Sequence, residues 1–365
     1  MKKATALGIL WLAMPGSWLL AEDNNGWSPK AAASYLDQRA EWWTTWPSSA
    51  RDHDTFCISC HTALPYALSR PALRSALGEQ APSATERKVI DNVTKRVRIW
   101  SEALPFYSDE KNGAPKTAEA RGTESVLNAL ILSSYDARQG KFGDDARKAF
   151  DNMWALQLKT GDAKGALTWL RFNNEPWEAD DSQFWGATLA AVAVANTPAA
   201  YRAQPEIKAN VGLLADYLQG HQESQSLLNR AVLLWAAAGV EGILQPAQRS
   251  AIEGELFARQ QSDGGWSTSS LVIAGWKRRD STPLDSASDG YATGLVSFAL
   301  ERAGIASSDP RLKSALGWLA KNQDREAGQW HATSLNKQRD PASDAGRFMS
   351  DAATAYSVLA LTSGK

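Results

Sequence analysis

The chain contains few of the residues that most often bind metals or form cross-links. Its 365 residues include only two cysteines, four histidines and four methionines. Two cysteines allow at most one disulfide and cannot supply the two Cys pairs of a Cys-rich structural zinc site. The formal net charge of −1 gives no basis for binding nucleic acid or an anionic membrane. We therefore expect no nucleic-acid partner.

Long apolar runs are absent beyond the N-terminus. Lys2 and Lys3 precede a mostly apolar stretch over residues 4–20, which ends at Ala21 before two acidic residues. This order is typical of a secretory signal cleaved after Ala21, and an uncleaved anchor is the alternative. We expect residues 1–21 to be a signal peptide, the mature protein to be periplasmic or secreted in a bacterium, and no stable membrane span to remain after cleavage.

Both cysteines lie in one pentapeptide, Cys57-Ile58-Ser59-Cys60-His61. C-x-x-C-H is the attachment signature of a c-type haem, because each thiol can form a thioether to one vinyl group of the porphyrin. His61 is then held where its imidazole can bind the iron. A disulfide, two free thiols and a zinc site with His61 are the alternatives. The prediction is one covalent haem c, held by Cys57, Cys60 and His61.

From residue 85 onward the hydrophobic pattern is helical, with no convincing alternation of period two. Some segments are apolar on nearly every side, which is typical of buried helices, and these are 123–135, 182–195, 225–238, 289–303 and 350–362. Amphipathic segments lie between them, at 84–103, 144–158, 205–220, 246–261 and 309–322. Alternation of buried and half-exposed helices predicts a repeat of helical pairs.

The amphipathic segments end in a shared pattern of glutamine, glycine and tryptophan. Gln261 begins QSDGGW, Gln323 begins QDREAGQW, and Gln157 begins a looser copy that ends at Trp169. These segments resemble the Gln–Trp repeats of squalene-hopene cyclases and related prenyltransferase folds. The resemblance covers residues 84–365 and implies an α/α toroid, in which inner helices line a central cavity and the glutamine and tryptophan side chains connect helical hairpins.

The expected fold class is therefore all-α. It consists of a single α/α toroid of helical hairpins over residues 84–365 and an N-terminal c-type haem-binding helical segment over residues 22–83. That segment has no counterpart in the cyclases. The whole chain resembles bacterial exported proteins that combine a c-type haem motif with squalene-cyclase-like repeats. We expect the haem to lie across the mouth of the toroid.

The resemblance also suggests a catalytic acid. Residues 178–182 (EADDS) are similar to the D-x-D-D-T motif whose middle aspartate protonates the alkene in squalene-hopene cyclases. By position that acid is Asp180, although the first and last residues of the motif differ. Helix capping is the alternative, because Asp289 and Asp351 occupy the same place in other repeats.

The sixth ligand of the iron decides between electron transfer and catalysis. His331 and Met349 are the two candidates, because both fall near the start of an inner helix, in or beside the loop 330–350. The loops 159–181 and 266–288 are expected on the same rim. Their arginines could bind the haem propionates or polarise a bound peroxide, and a solvated charged loop is the alternative. The polar and aromatic residues of these loops include Trp177, Trp276, Arg278, Arg279, Asn336, Lys337, Arg339 and Asp340. The other possible ligands are His53, His221 and Met153. His53 is too near the motif to reach the opposite face of the haem, and His221 ends an outer helix, where exposure or capping is the alternative.

Three functions follow from these features. The first is an exported haem-dependent oxidoreductase that acts on a hydrophobic small molecule, with isoprenoids as one candidate class. The second is a non-catalytic electron-transfer cytochrome with a redox partner protein. The third is a terpene-cyclase-like enzyme that uses Asp180. The cyclase hypothesis leaves the haem without a role.

Overall fold

The computed structural model describes residues 26–107 and 113–363, so the expected signal peptide at 1–21 lies outside the described residues. The helices are α1 Pro29–Thr45, α2 Ala63–Ala76, α3 Ala84–Arg98, α4 Gly113–Ala137, α5 Asp144–Trp154, α6 Ser182–Ala195, α7 Ala199–Arg202, α8 Pro205–His221, α9 Leu227–Ala237, α10 Pro246–Ala258, α11 Gly290–Arg302, α12 Pro310–Lys321 and α13 Phe348–Ser363. Two short antiparallel strands, β1 Ala50–Arg51 and β2 Thr55–Phe56, lie between α1 and α2.

Six of these helices form a closed inner ring. Around the ring, α2 packs against α4, α4 against α6, α6 against α9, α9 against α11, α11 against α13, and α13 against α2. Their side chains are buried on almost every face, as the apolar sequence pattern predicts. Six outer helices pack around them, and these are α1, α3, α5, α8, α10 and α12. The protein is therefore an all-helical α/α toroid of six helical hairpins.

The first hairpin belongs to the segment 22–83. The sequence pattern predicts that this segment packs against the toroid, but the structure places α1 in the outer layer and α2 in the inner ring. Pro71 lies inside α2 and Arg70 is buried in it, so the apolar pattern of this helix is interrupted. These interruptions, together with the lack of a Gln–Trp repeat, explain why α2 was not recognised as an inner helix.

The inner helices run parallel to one another. One cavity, of about 280 Å³, is lined by residues that precede or begin α2, α6 and α13. A second cavity, of about 390 Å³, is lined by residues from the carboxyl-terminal halves or ends of all six inner helices. The ring thus has an amino-terminal mouth and a carboxyl-terminal mouth, and Cys60 and His61 lie at the first. Within the described part of the chain, no helix is both long enough and apolar enough to cross a membrane.

Glutamine side chains connect successive hairpins, as the repeat predicts. In each copy the side-chain N–H group donates to the carbonyl of the repeat glycine and to a carbonyl at or near the start of the next outer helix. The pairs are Gln157 with Gly165 and Asn210, Gln260 with Gly264 and Arg311, and Gln323 with Gly328 and Ser28. Ser28 is the N-cap of α1, so the last of these bonds joins the final hairpin to the first and closes the outer layer.

In one repeat the connecting glutamine is not the predicted Gln261 but its neighbour. Gln260 connects the hairpins there, whereas the side chain of Gln261 donates to the carbonyl of Ser286 at 2.7 Å. Two adjacent glutamines cannot be distinguished by spacing alone. The tryptophan assignment is confirmed for Trp266 and Trp330, which are fully buried and donate their indole N–H groups to carbonyls of the preceding outer helix.

Gly328 allows the first and last hairpins to approach closely, and we expect Gly328→Ala to weaken this contact. Gly328 has φ +78°, and an added Cβ would come within 3.0 Å of the carbonyl oxygen of Ala31 in α1. We expect the free energy of unfolding to fall by roughly 2–4 kcal/mol, from backbone strain and from overpacking. Urea denaturation measures this change.

Gly317→Ala is the matched control for this substitution. Gly317 lies within α12, and nothing is within 4 Å of an added Cβ there. Alanine at an open position inside a helix should stabilise the protein by up to about 1 kcal/mol. Equal effects of the two substitutions would show that the close approach at Gly328 does not support the ring.

Candidate functional site

The C-x-x-C-H pentapeptide connects β2 to α2 and is held from both sides. The indole N–H group of Trp43 donates to the carbonyl of Cys57 at 2.6 Å. The hydroxyl oxygen of Ser59 accepts hydrogen bonds from the backbone N–H groups of Thr62 and Ala63, at the start of α2. The motif therefore forms a turn that leads directly into an inner helix.

Buried polar groups fix the strand that precedes the motif. The Asn92 side chain both accepts from the backbone N–H of Phe56 and donates to its carbonyl, at 2.8 and 3.0 Å. Arg96, which has no exposed surface, donates to the hydroxyl of Thr55 at 2.7 Å and forms an ion pair with Glu124. Helices α3 and α4 thus hold β2, and with it the start of the pentapeptide.

Cys57 and Cys60 are not joined by a disulfide, and neither has the surroundings of a redox-active dithiol. Burial raises the pKa of Cys57 to about 12 and raises the pKa of Cys60 well above its usual value. A redox-active C-x-x-C motif requires a lowered thiol pKa, which is the opposite shift. Within residues 26–107 and 113–363, no group of three or more His, Cys, Asp or Glu side chains is arranged to bind a metal ion.

His61 lies between aromatic rings at the amino-terminal mouth. Phe348 stacks on the imidazole with ring centroids 3.8 Å apart, and Trp43 approaches it edge-on at 5.0 Å. Nδ1 of His61 lies 2.9 Å from the hydroxyl oxygen of Thr62. Burial, and to a lesser degree the charge of Arg39, lowers the pKa of His61 to about 3. The imidazole is therefore neutral at neutral pH, which is the form that binds a metal.

The 280 Å³ cavity beside His61 has an aromatic wall. Cys60 and His61 line it together with five aromatic side chains, which are Trp43, Trp46, Tyr107, Trp177 and Phe348. Two of these rings come from the end of α1 and the residue after it, one from the segment after α3, one from the loop before α6 and one from the start of α13. The mouth thus brings aromatic residues from distant parts of the chain to one face of the toroid.

Carboxyl groups line the same cavity. Burial, followed by the nearby charge of Asp181, raises the pKa of Glu175 to about 8, and its Oε1 accepts no hydrogen bond from any residue that the structure describes. Burial also raises the pKa of Glu178. The side-chain amide of Asn336 accepts from the backbone N–H of Glu175 and donates to its carbonyl. Glu175 therefore presents a neutral carboxyl group to the cavity at neutral pH.

The expected cluster of three loops on one rim is confirmed by their hydrogen bonds. The loop that contains Trp276, Arg278 and Arg279 donates to carbonyls of both other loops, with acceptors at Leu335, Ser334 and Phe172 respectively. Asn336 and Arg339 line the cavity beside His61. Lys337 and Asp340 are exposed and do not line that cavity.

The two candidate sixth ligands line different cavities. Met349 lines the same cavity as His61, whereas His331 lines a different one together with Arg278. Asp180 is exposed and does not line the cavity of His61. The remaining candidates also lie away from this cavity, since His53 is exposed, His221 is hydrogen-bonded within α8 and Met153 is buried in the core.

Asp351 has a role that the sequence analysis missed. Asp289 caps its helix as predicted, because its carboxylate accepts from two backbone N–H groups at the start of α11. Asp351 instead lies inside α13, and its buried carboxylate accepts from Thr62, Tyr35 and Arg39. The only signal in the sequence is weak: Tyr35 and Arg39 lie four residues apart, on one face of α1.

No protein-family model matches this sequence, and no curated protein matches it. Among solved structures, a glycosidase variant is similar over 90% of this chain and 96% of its own, with 13% identity and a TM-score of 0.48. These values are too low to assign a fold or a function by similarity.

Proposed function

We propose that the protein is an exported c-type haem protein, and that it is a haem-dependent oxidoreductase acting on a hydrophobic small molecule. One observation carries the proposal. Cys60 and a neutral His61 line an aromatic cavity at the mouth of the toroid. A second cysteine, Cys57, precedes Cys60 in the same turn and forms no disulfide with it. Sulfur attachment and axial ligation of a c-type haem require these groups in this order.

The residues at the mouth fit a haem chemically. Nδ1 of His61 is hydrogen-bonded to Thr62, which leaves Nε2 for the iron. The cavity of about 280 Å³ lies at the lower limit of small-molecule sites, so a porphyrin requires the mouth to widen. Arg339 at the mouth is suitably charged to bind a propionate.

A bound haem would supply electron transfer or the activation of oxygen or peroxide. The chain's own groups would hold and orient a substrate beside it. The rings of Trp46 and Trp177 offer apolar surface and exclude water. The neutral carboxyl of Glu175 can donate a hydrogen bond, or a proton, to a polar group of the substrate.

The second candidate function is electron transfer without catalysis, and the position of Met349 favours it. Met349 shares the cavity with His61, and a methionine sulfur that binds the iron would close the sixth position. The partner would then be a redox protein. The cyclase hypothesis has no comparable support, because Asp180 is exposed and a strong alkene-protonating acid needs a dry cavity.

An absorption spectrum of the purified mature protein, reduced and exposed to carbon monoxide, tests these proposals. We expect a covalent haem whose Soret band shifts with carbon monoxide, because an oxidoreductase needs an accessible iron position. An unreactive low-spin spectrum in the wild type, together with reactivity in Met349→Leu, would instead establish the electron carrier. A colourless protein from a host with cytochrome maturation machinery would exclude both.

A further inference from the structure

The hydrogen bonds around Asp351 assign the proton on His61. The Asp351 carboxylate is buried and accepts from the Tyr35 hydroxyl at 2.8 Å, from Nε and Nη2 of Arg39 at 2.8 and 3.1 Å, and from the Thr62 hydroxyl at 2.6 Å. Burial raises the pKa of Asp351, but the guanidinium of Arg39, which keeps its charge in proteins, donates to both carboxylate oxygens and favours the ionised form. An ionised carboxylate can only accept hydrogen bonds. The Thr62 proton therefore points to Asp351.

Thr62 has only one hydroxyl proton to give. Since that proton is donated to Asp351, the Thr62 oxygen can interact with His61 Nδ1, 2.9 Å away, only as an acceptor. Nδ1 must then carry the imidazole proton, and Nε2 carries the lone pair. The order of donors and acceptors thus runs from His61 through Thr62 to Asp351.

We propose that Thr62 and Asp351 are positioning residues for His61, which fix the tautomer that offers Nε2 to the haem iron and increase the electron donation of the imidazole. The inference rests on the proposed haem function. The buried Asp351 carboxylate polarises the Thr62 hydroxyl and so strengthens the hydrogen bond that this hydroxyl accepts from Nδ1–H of His61. A stronger hydrogen bond at Nδ1 makes the imidazole a more basic ligand. A more basic axial ligand stabilises the ferric state and lowers the reduction potential.

The residues of this hydrogen-bond network come from the first and the last hairpin. Thr62 precedes α2 in the first hairpin, and Asp351 belongs to α13 in the last. Tyr35 and Arg39 of α1 hold the carboxylate from the outer layer. The closure of the ring between the last and first hairpins therefore also places the anion behind His61.

Potentiometry of the haem-loaded protein tests the inference through Thr62→Val, which keeps the shape of the side chain and removes the acceptor. We expect a higher reduction potential and a lower Fe–His stretching frequency in the resonance Raman spectrum, with covalent haem content unchanged. Thr62→Ser should restore both values toward those of the wild type. Ser69→Ala, which removes a buried hydroxyl from α2 away from His61, should change neither.

An unchanged potential and Raman frequency in Thr62→Val would overturn the inference while leaving the haem function intact. If Thr62→Val does not fold, ¹⁵N-histidine NMR of the wild-type protein in its diamagnetic ferrous state, with carbon monoxide added where the iron is high-spin, decides the question. We expect a proton coupled to Nδ1 of His61, and its absence would overturn the assignment. The same measurement on wild-type protein that carries no haem tests the tautomer when the haem proposal itself fails.

Discussion

We expect that replacing both Cys57 and Cys60 by serine will abolish the proposed covalent haem attachment. The wild-type chain, produced in a host with cytochrome maturation machinery, should carry about one haem per chain that survives denaturation. The double variant should have the mass of the polypeptide alone, because serine cannot form a thioether. Mass spectrometry of the denatured protein measures the difference, and haem staining after denaturing electrophoresis provides an independent measurement.

Two further variants make this experiment specific. Ile58→Val changes the buried residue between the thiols and keeps both sulfur atoms, so it should retain the full haem mass. Cys57→Ser leaves Cys60, which lines the cavity with His61, and a single thioether remains possible. Haem mass in the double variant, or none in the wild type, would contradict attachment through these sulfur atoms.

Glu124→Ala should strongly destabilise the protein. Arg96 and Glu124 are both without exposed surface, and the guanidinium also donates to Thr55 and to the carbonyl of Leu104. Removing the carboxylate leaves a buried cation that cannot deprotonate and whose remaining anionic partner is Asp52, 3.4 Å from Nη1. We expect the free energy of unfolding to fall by about 3–5 kcal/mol, measured by urea denaturation.

Asp145→Ala is the matched control, because it also removes a carboxylate from an arginine of α3. Arg98 and Asp145 form an ion pair in which the Arg98 side chain is 64% exposed. Solvent screens such a pair, so only a small change is expected. The two variants should also differ in haem incorporation, since Arg96 holds the strand before Cys57. Equal free energies of unfolding for Glu124→Ala and Asp145→Ala would show that the Arg96–Glu124 pair does not support this part of the fold.

Much of the fold could be predicted from the chain alone. Apolar segments such as 182–195 became inner helices with nearly the expected bounds, since a helix that is apolar on every side must be buried. The hairpin contacts of Gln157 and Gln323 were also recognisable, because a glutamine at a helix end followed by glycine and tryptophan is a local pattern. The hairpin of α1 and α2 could not be predicted in this way, because a proline and a buried arginine interrupt the apolar pattern of α2.

Less of the candidate site could be predicted from the sequence. The C-x-x-C-H motif is contiguous, so Cys57, Cys60 and His61 could be chosen directly. Glu175 could not, because only its burial among the rim loops shifts its pKa. The position of Asp351 suggested a helix cap, since spacing along the chain does not show which helices face it.

The amino-acid sequence alone determined the all-helical class, the alternation of buried and half-exposed helices, and the motif that would hold a haem. Each of these depends on residues that are near one another in the chain. Tertiary structure decided that the first hairpin closes the ring, that Met349 rather than His331 shares the cavity of His61, and that an anion lies behind Thr62. These relations join residues about 290 positions apart, as between Thr62 and Asp351, and only packing brings such residues together.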